Sequence, residues 1–207
     1  MATHPADTPP SLREVWLIRH GETAWSLSGQ HTGRTDLALT KHGEDQARAL
    51  APLVAAQPFD TVLSSPMIRA TATCRLAGLG AHMVVMPDLH EWDYGIYEGR
   101  TTADIRAAAP DWSVWRSPIP EGESLAQVQL RAQSVVARLL TMSGRVALFS
   151  HAHFLRALAG CWMTGDAALG EHFYLDTASI SVLGFDHENR AIRRWNVRQN
   201  MPDPGSH

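Results

Sequence analysis

Only two cysteines, Cys74 and Cys161, stand in 207 residues, far apart and with no C-x-x-C pair. That excludes a disulfide scaffold and predicts two buried thiols in a reducing compartment. Basic residues are outnumbered, 18 against 21 acidic, for a net charge of -3. The chain therefore offers no general surface to nucleic acid, and any field that attracts an anion has to be local, built from a few arginines and histidines. No apolar run approaches the length of a membrane span, and Met1 to Pro10 is polar and proline-rich, with no basic stretch leading into an apolar one. This predicts a cytoplasmic protein without a membrane partner. There is no Walker-type glycine loop and no G-x-G-x-x-G after a strand, so a bound phosphate has to be held by side chains. Repeats, low-complexity stretches and linkers are also missing, and 44% hydrophobic residues suffice for one sizeable core.

What is present alternates strand with helix. Residues 14–19 read as a first strand; Thr40 precedes a helix in which Ala47, Leu50, Ala51 and Val54 recur at helical spacing. A second strand at Thr61 to Leu63 leads to Ser65-Pro66, a capping residue and a proline at the first helical position, which places Arg69 in the first turn of the next helix. Met83 to Met86 makes a third strand. Glu91 to Ser124, with its prolines and with Trp112 and Trp115, reads as a cap over a site. A long helix follows Ser124, with Val128, Ala132, Val135, Val136, Leu139 and Leu140 on one face. Val146 to Phe149 returns to the sheet, a helix runs from His153 to Met163, and two alternating segments, Ser179 to Phe185 and Ala191 to Val197, pair as an edge hairpin. The expectation is an α/β fold, a three-layer αβα sandwich whose mainly parallel central sheet carries helices on both faces. One domain spans 13–198 with the cap at about 96–123; 1–12 and 199–207 are expected to be disordered tails.

Chemistry concentrates at strand ends. Arg19-His20-Gly21-Glu22-Thr23 follows directly on the apolar Val15-Trp16-Leu17-Ile18, which puts a histidine where open α/β sheets build their sites. Such a histidine can attack phosphorus if a cation such as Arg19 holds the phosphate and offsets its charge. Ser64-Ser65-Pro66-Met67-Ile68-Arg69-Ala70 adds a second arginine, Leu89-His90-Glu91-Trp92-Asp93-Tyr94-Gly95 a carboxylate, and Phe149-Ser150-His151-Ala152-His153 a second histidine.

In that order, from about Val15 to Val197, these segments resemble the histidine phosphatase superfamily, with its phosphoglycerate-mutase-like fold, and most of all its small bacterial broad-specificity acid phosphatases. The resemblance implies a metal-independent phosphomonoesterase that needs no cofactor and acts on a small-molecule phosphate monoester. It makes His20 the nucleophile that becomes phosphohistidine, its other ring nitrogen donating to a backbone carbonyl. Arg19 and Arg69 become planar clamps for phosphate oxygens, His151 a further donor to the phosphate, and Glu91 the acid that protonates the leaving oxygen and then the base that activates water. It also assigns substrate contacts to Ser26, Thr32 and Gly33. Two positions depart from the family pattern: Ser26 stands for the common asparagine, and Ala152 for the glycine after His151, which a negative φ would tolerate. His153 is expected to start its helix and line the substrate side.

Several readings stay open on sequence alone. Asp93 and Glu98 compete with Glu91 for the acid role. His151, His153, His20 and Glu91 together have the donor types of a zinc site, although two arginines alongside oppose a cation. Trp112 and Trp115 suit cap packing as well as a substrate platform, and His31, His42 and His172 read as surface residues. A cofactor-dependent phosphoglycerate mutase is the alternative function. It is disfavoured because Glu91-Trp92-Asp93-Tyr94-Gly95-Ile96 lacks the mutase-type sequence, and only Arg100, Arg106 and Arg116 lie nearby for a second phosphate. A non-catalytic phosphate sensor would need only the arginines. A homodimer is left open.

Overall fold

The computed structural model describes residues 11–199. The expected tails lie outside these residues except at their inner ends, where Leu12 already belongs to the first strand. Six strands form one sheet: β1 (Leu12–Arg19), β2 (Thr61–Ser64), β3 (Met83–Val85), β4 (Gly144–Ser150), β5 (Ile180–Asp186) and β6 (Asn189–Val197). Their order is β3-β2-β4-β1-β5-β6. The first four run parallel, and β5 and β6 close the far edge as an antiparallel hairpin.

Alternation along the central strands separates two cores. Val15, Leu17, Val146 and Leu148 face α6 (Leu125–Leu140), α7 (Ala152–Thr164) and the cap. Trp16, Ile18, Ala147 and Phe149 face the opposite layer, which contains α2 (Lys41–Ala49), α3 (Ala51–Ala55) and α4 (Ile68–Leu76). The three-layer sandwich with a mainly parallel sheet is thus the observed architecture. Cys74 lies in one core and Cys161 in the other, both free; burial raises their thiols to about 12 and about 11. Among the described residues no helix is long and apolar enough to cross a membrane.

Three local expectations need correction. The helix after Thr40 is two helices that break at Leu50, because Pro52 has no N–H with which to continue the ladder. Leu140 is 44% exposed, since it lies about 100° around α6 from the buried Leu139. Ser65 does not cap α4: its hydroxyl, shared with His151, accepts the Met67 N–H at 3.3 Å ahead of the helix, which begins only at Ile68, and Asp36 from a distant loop accepts the Ile68 N–H at 2.8 Å. The long helix α6 starts as expected, with a reciprocal capping box between Ser124 and Gln127.

Connectivity locates the site. From β1 the chain crosses to β2 on one side, and from β4 it crosses to β5 on the other, so the crevice between β1 and β4 is where the winding reverses. Arg19 is the register partner of Ser150, which leaves His20 and His151 side by side just past the two strand ends.

Candidate active site

His20 is buried, and its backbone N–H donates to Ser150 O at 3.0 Å, an extension of the β1–β4 pairing. Its Nδ1 lies 2.7 Å from Gly21 O, so this nitrogen carries the proton and the lone pair is at Nε2. Burial first, then the charges of Arg69 and Arg19, hold the ring well below the usual histidine value. The result is a neutral, oriented imidazole. Thr73 on α4 steadies the turn by accepting the Gly21 N–H at 3.0 Å.

A cavity of about 360 Å³ opens in front of it, lined by Arg19 and His20 at the end of β1 and by Glu91 from the loop that follows β3. Arg19 donates to Leu175 O through Nη1, whereas its Nε–H is shut off from solvent and has no partner. An orphaned donor on a buried guanidinium in a cavity wall is a place for an anion.

His151 and Arg69 sit behind His20, outside the cavity lining. The His20 and His151 rings are 5.2 Å apart. Arg69 Nε donates to His151 Nδ1 at 3.1 Å, so His151 is protonated at Nε2 and donates to Ser65 Oγ at 2.7 Å. Burial, with Arg69 next, lowers its pKa strongly. The rest of the Arg69 fork is occupied by loop carbonyls: Thr35 O at 2.9 Å, Thr32 O at 3.2 Å and Gly33 O at 3.0 Å.

Glu91 is the carboxylate that lines the cavity. Its Oε1 accepts from Trp92 N at 2.9 Å and Phe154 N at 2.8 Å, and Oε2 accepts from His153 N at 3.1 Å. The last two amides belong to the first turn of α7, where a carboxylate is favoured by the helix dipole. Oε2 retains a lone pair for a proton. Asp93 is spent elsewhere, pairing with Arg34 at 2.6 Å and accepting Gly95 N–H. Glu98 accepts Gly33 N at 2.8 Å and Thr35 N at 3.0 Å. Neither competitor lines the cavity.

Ser26, Thr32, Ala152 and His153 do line it. Ser26 Oγ also serves a capping box with Thr23. Ala152 opens α7 with ordinary negative φ, so replacing glycine there adds no strain. Gly33 has to be glycine, because a Cβ would come within 2.6 Å of Trp92 O. His153 Nδ1 is 2.7 Å from the Tyr94 hydroxyl.

The sequence reading of His31 as a surface residue is wrong. It is 9% exposed, lines the cavity, and packs with ring centroids 4.7 Å from Tyr94 and 5.3 Å from Trp112. A single polar residue in an aperiodic loop carries no sequence signal for such burial; its position before Thr32-Gly33 was the available hint. His172 is exposed as expected, and His42 is half-buried. Trp112 belongs to the cavity wall, whereas Trp115 packs edge-on against Trp92 at 5.3 Å. Among the described residues no three His, Cys, Asp or Glu side chains are placed to hold a metal ion.

Neutral buried imidazoles couple stability to pH. Burial takes His31 down to about 4 and His20, His151 and His153 well below the ordinary value. In the unfolded chain they titrate at about 6.5, so below that pH the unfolded state holds more protons and stability falls. It is fully present above about 6.5 and declines by at most about 1.4 kcal/mol per pH unit for each ring. The denaturation midpoint should therefore drop steadily from pH 7 to pH 5; a flat profile would mean that the rings protonate without penalty.

The similarities to known proteins agree with this geometry. The chain is 47% identical over 180 residues to an acid phosphatase of Mycobacterium tuberculosis, covering 85% of this chain and 88% of that protein. It is 33% identical over 190 residues to the sedoheptulose 1,7-bisphosphatase of Saccharomyces cerevisiae, covering 76% and 69%. Among solved structures, an open reading frame product of Mycobacterium tuberculosis superposes with a TM-score of 0.85 at 44% identity, covering 90% of this chain and 98% of that one. Residues 15–198 match the histidine phosphatase superfamily (branch 1). With a neutral histidine at the end of β1, an arginine beside it and the family match across nearly all of the described residues, the chain belongs to the histidine phosphatase superfamily and is a phosphatase.

Proposed function

We propose that the enzyme is a metal-independent phosphomonoesterase of the acid-phosphatase kind, which hydrolyses small phosphorylated metabolites through a phosphohistidine on His20. The observation that carries this reading is the unprotonated His20 Nε2 in a cavity whose wall holds the partnerless Arg19 Nε–H and the Glu91 carboxyl. The Nε2 lone pair forms a bond to phosphorus as the ester P–O bond breaks, and the departing oxygen takes the proton held at Glu91 Oε2. Glu91, now a carboxylate, removes a proton from water; the hydroxide forms the new P–O bond as the P–N bond breaks, returning the electron pair to His20. Arg19 neutralises the phosphoryl oxygens at short range, while Arg69 and the neutral His151 bias the field from behind.

The mutase alternative is disfavoured by charge placement. Of the three arginines near the cap, Arg116 is paired with Glu171 and Arg100 donates to Asp104 O. Only Arg106 reaches the cavity, which leaves a second phosphate poorly balanced. Two unpaired buried thiols support a reducing, cytoplasmic setting.

Hydrolysis of p-nitrophenyl phosphate should proceed at an undiminished rate in excess chelator, since every charge needed by the proposed steps is supplied by side chains. Loss of activity on chelation, restored by zinc or magnesium, would overturn the histidine mechanism.

A further inference from the structure

The cavity wall holds a second buried donor without a partner, far along the chain from the strand ends. Trp112 is only 4% exposed and lines the cavity, yet its indole Nε1–H has no hydrogen-bond partner. Indole N–H groups in buried positions normally find an acceptor. The ring cannot readily turn to seek one. Its backbone N–H donates to Ala109 O at 2.9 Å, Arg106 Nε donates to its carbonyl at 2.9 Å, and Tyr97 packs edge-on at 5.2 Å. The donor is held in place with nothing to donate to.

Its location separates it from phosphate binding. Arg19 and His20 come from the end of β1, while Trp112 comes from the covering segment after the short helix α5 (Thr102–Arg106). The imidazole of His31 packs against it in a T-shaped contact, 5.3 Å away between ring centroids. Arg19, His20, His31 and Trp112 line the same cavity, so an ester with its phosphorus at His20 shares that space with this wall.

We infer that Trp112 determines which alcohol is released: its Nε1–H donates to an oxygen carried by the leaving group, so the enzyme selects phosphate monoesters of oxygen-bearing alcohols over plain alkyl esters. The inference rests on the phosphomonoesterase reading. The oxygen belongs either to a hydroxyl or to a carboxylate, and Arg106 distinguishes them, because it also lines the cavity and its terminal nitrogens have no partner among the described residues. A site with an unmet polar group discriminates against analogues that cannot satisfy it.

The test compares Trp112→Phe, which keeps an aromatic ring and removes the donor, with the unaltered enzyme on glycerol phosphate, 3-phosphoglycerate and propyl phosphate. The expected result is a fall in kcat/KM of about 5- to 20-fold on at least one of the two oxygen-bearing esters, with propyl phosphate turned over as before. Arg106→Met then assigns the oxygen: a loss confined to phosphoglycerate makes it a carboxylate, and equal retention on both makes it a hydroxyl. An equal fall on all three esters, or no fall on any, would overturn the inference while leaving the phosphatase reading intact. Failure of the unaltered enzyme to hydrolyse any of them, or p-nitrophenyl phosphate, would instead reject the underlying reading.

Discussion

His20→Ala is expected to bring phosphatase activity to background and to abolish acid-labile, alkali-stable phosphorylation of the chain. The substitution removes the only group proposed to bond to phosphorus, and the ring nitrogens beside it are already engaged. His151 faces Ser65 and Arg69 with its two nitrogens, and His153 has Nδ1 on the Tyr94 hydroxyl. Arg19 would still bind phosphate, so a competitive phosphate analogue should retain measurable affinity. Rapid-quench labelling with a phosphorylated substrate checks both expectations. Turnover surviving in the variant would reduce His20 to a phosphate ligand.

Glu91→Gln should reveal both proton transfers, because the leaving group tunes the answer. With an alkyl phosphate the loss should be on the order of 10² to 10⁴ in rate, the range for a positioned proton donor. With p-nitrophenyl phosphate the departing oxygen needs little protonation, so phosphorylation of His20 should be nearly spared. Its hydrolysis would still lack a base, and a burst of nitrophenol should precede slow turnover. The structure adds a cost in stability. Three backbone N–H groups share the two Glu91 oxygens, and glutamine supplies one oxygen, so its NH₂ would oppose the N–H of Phe154 and Trp92 or that of His153. About 1–3 kcal/mol is expected from the unmet amide, measurable by denaturation and separable from the kinetics. An equal loss with both esters and no burst would remove Glu91 from the mechanism.

Much of this arrangement could be read before any coordinates. Unbroken apolar runs such as Val15 to Ile18 announce strands buried on both faces, and a histidine immediately after one can only stand at the rim of the sheet. The pairing of Arg19 with Ser150 then follows from parallel register, which places the two histidine segments together. Elements with strong local signals, such as the capped α6, lie where expected. What was not legible depends on contacts between distant segments. Asp36 caps a helix 32 residues away, and Ser65 takes a hydrogen bond from a histidine 86 positions later. The burial of His31 likewise comes from Tyr94 and Trp112, which no periodicity in its own loop encodes. Arg69 was expected to present its fork to phosphate, and the carbonyls that occupy it come from a loop whose path is set by tertiary packing.

That loop, carrying Thr32 and Gly33, is gripped by opposite charges on its two kinds of peptide group. Glu98 takes the N–H groups of Gly33 and Thr35, and Arg69 takes the carbonyls of Thr32, Gly33 and Thr35. Swinging it outward would break both sets at once and strand a buried guanidinium, so this wall behaves as a fixed jamb. The covering segment is tied to the same wall, since Gln30 bridges Thr101 just before α5 and His31 exchanges backbone hydrogen bonds with Gly99 and Arg100. Changes in loop length between 30 and 36 should consequently be poorly tolerated even where they touch no substrate.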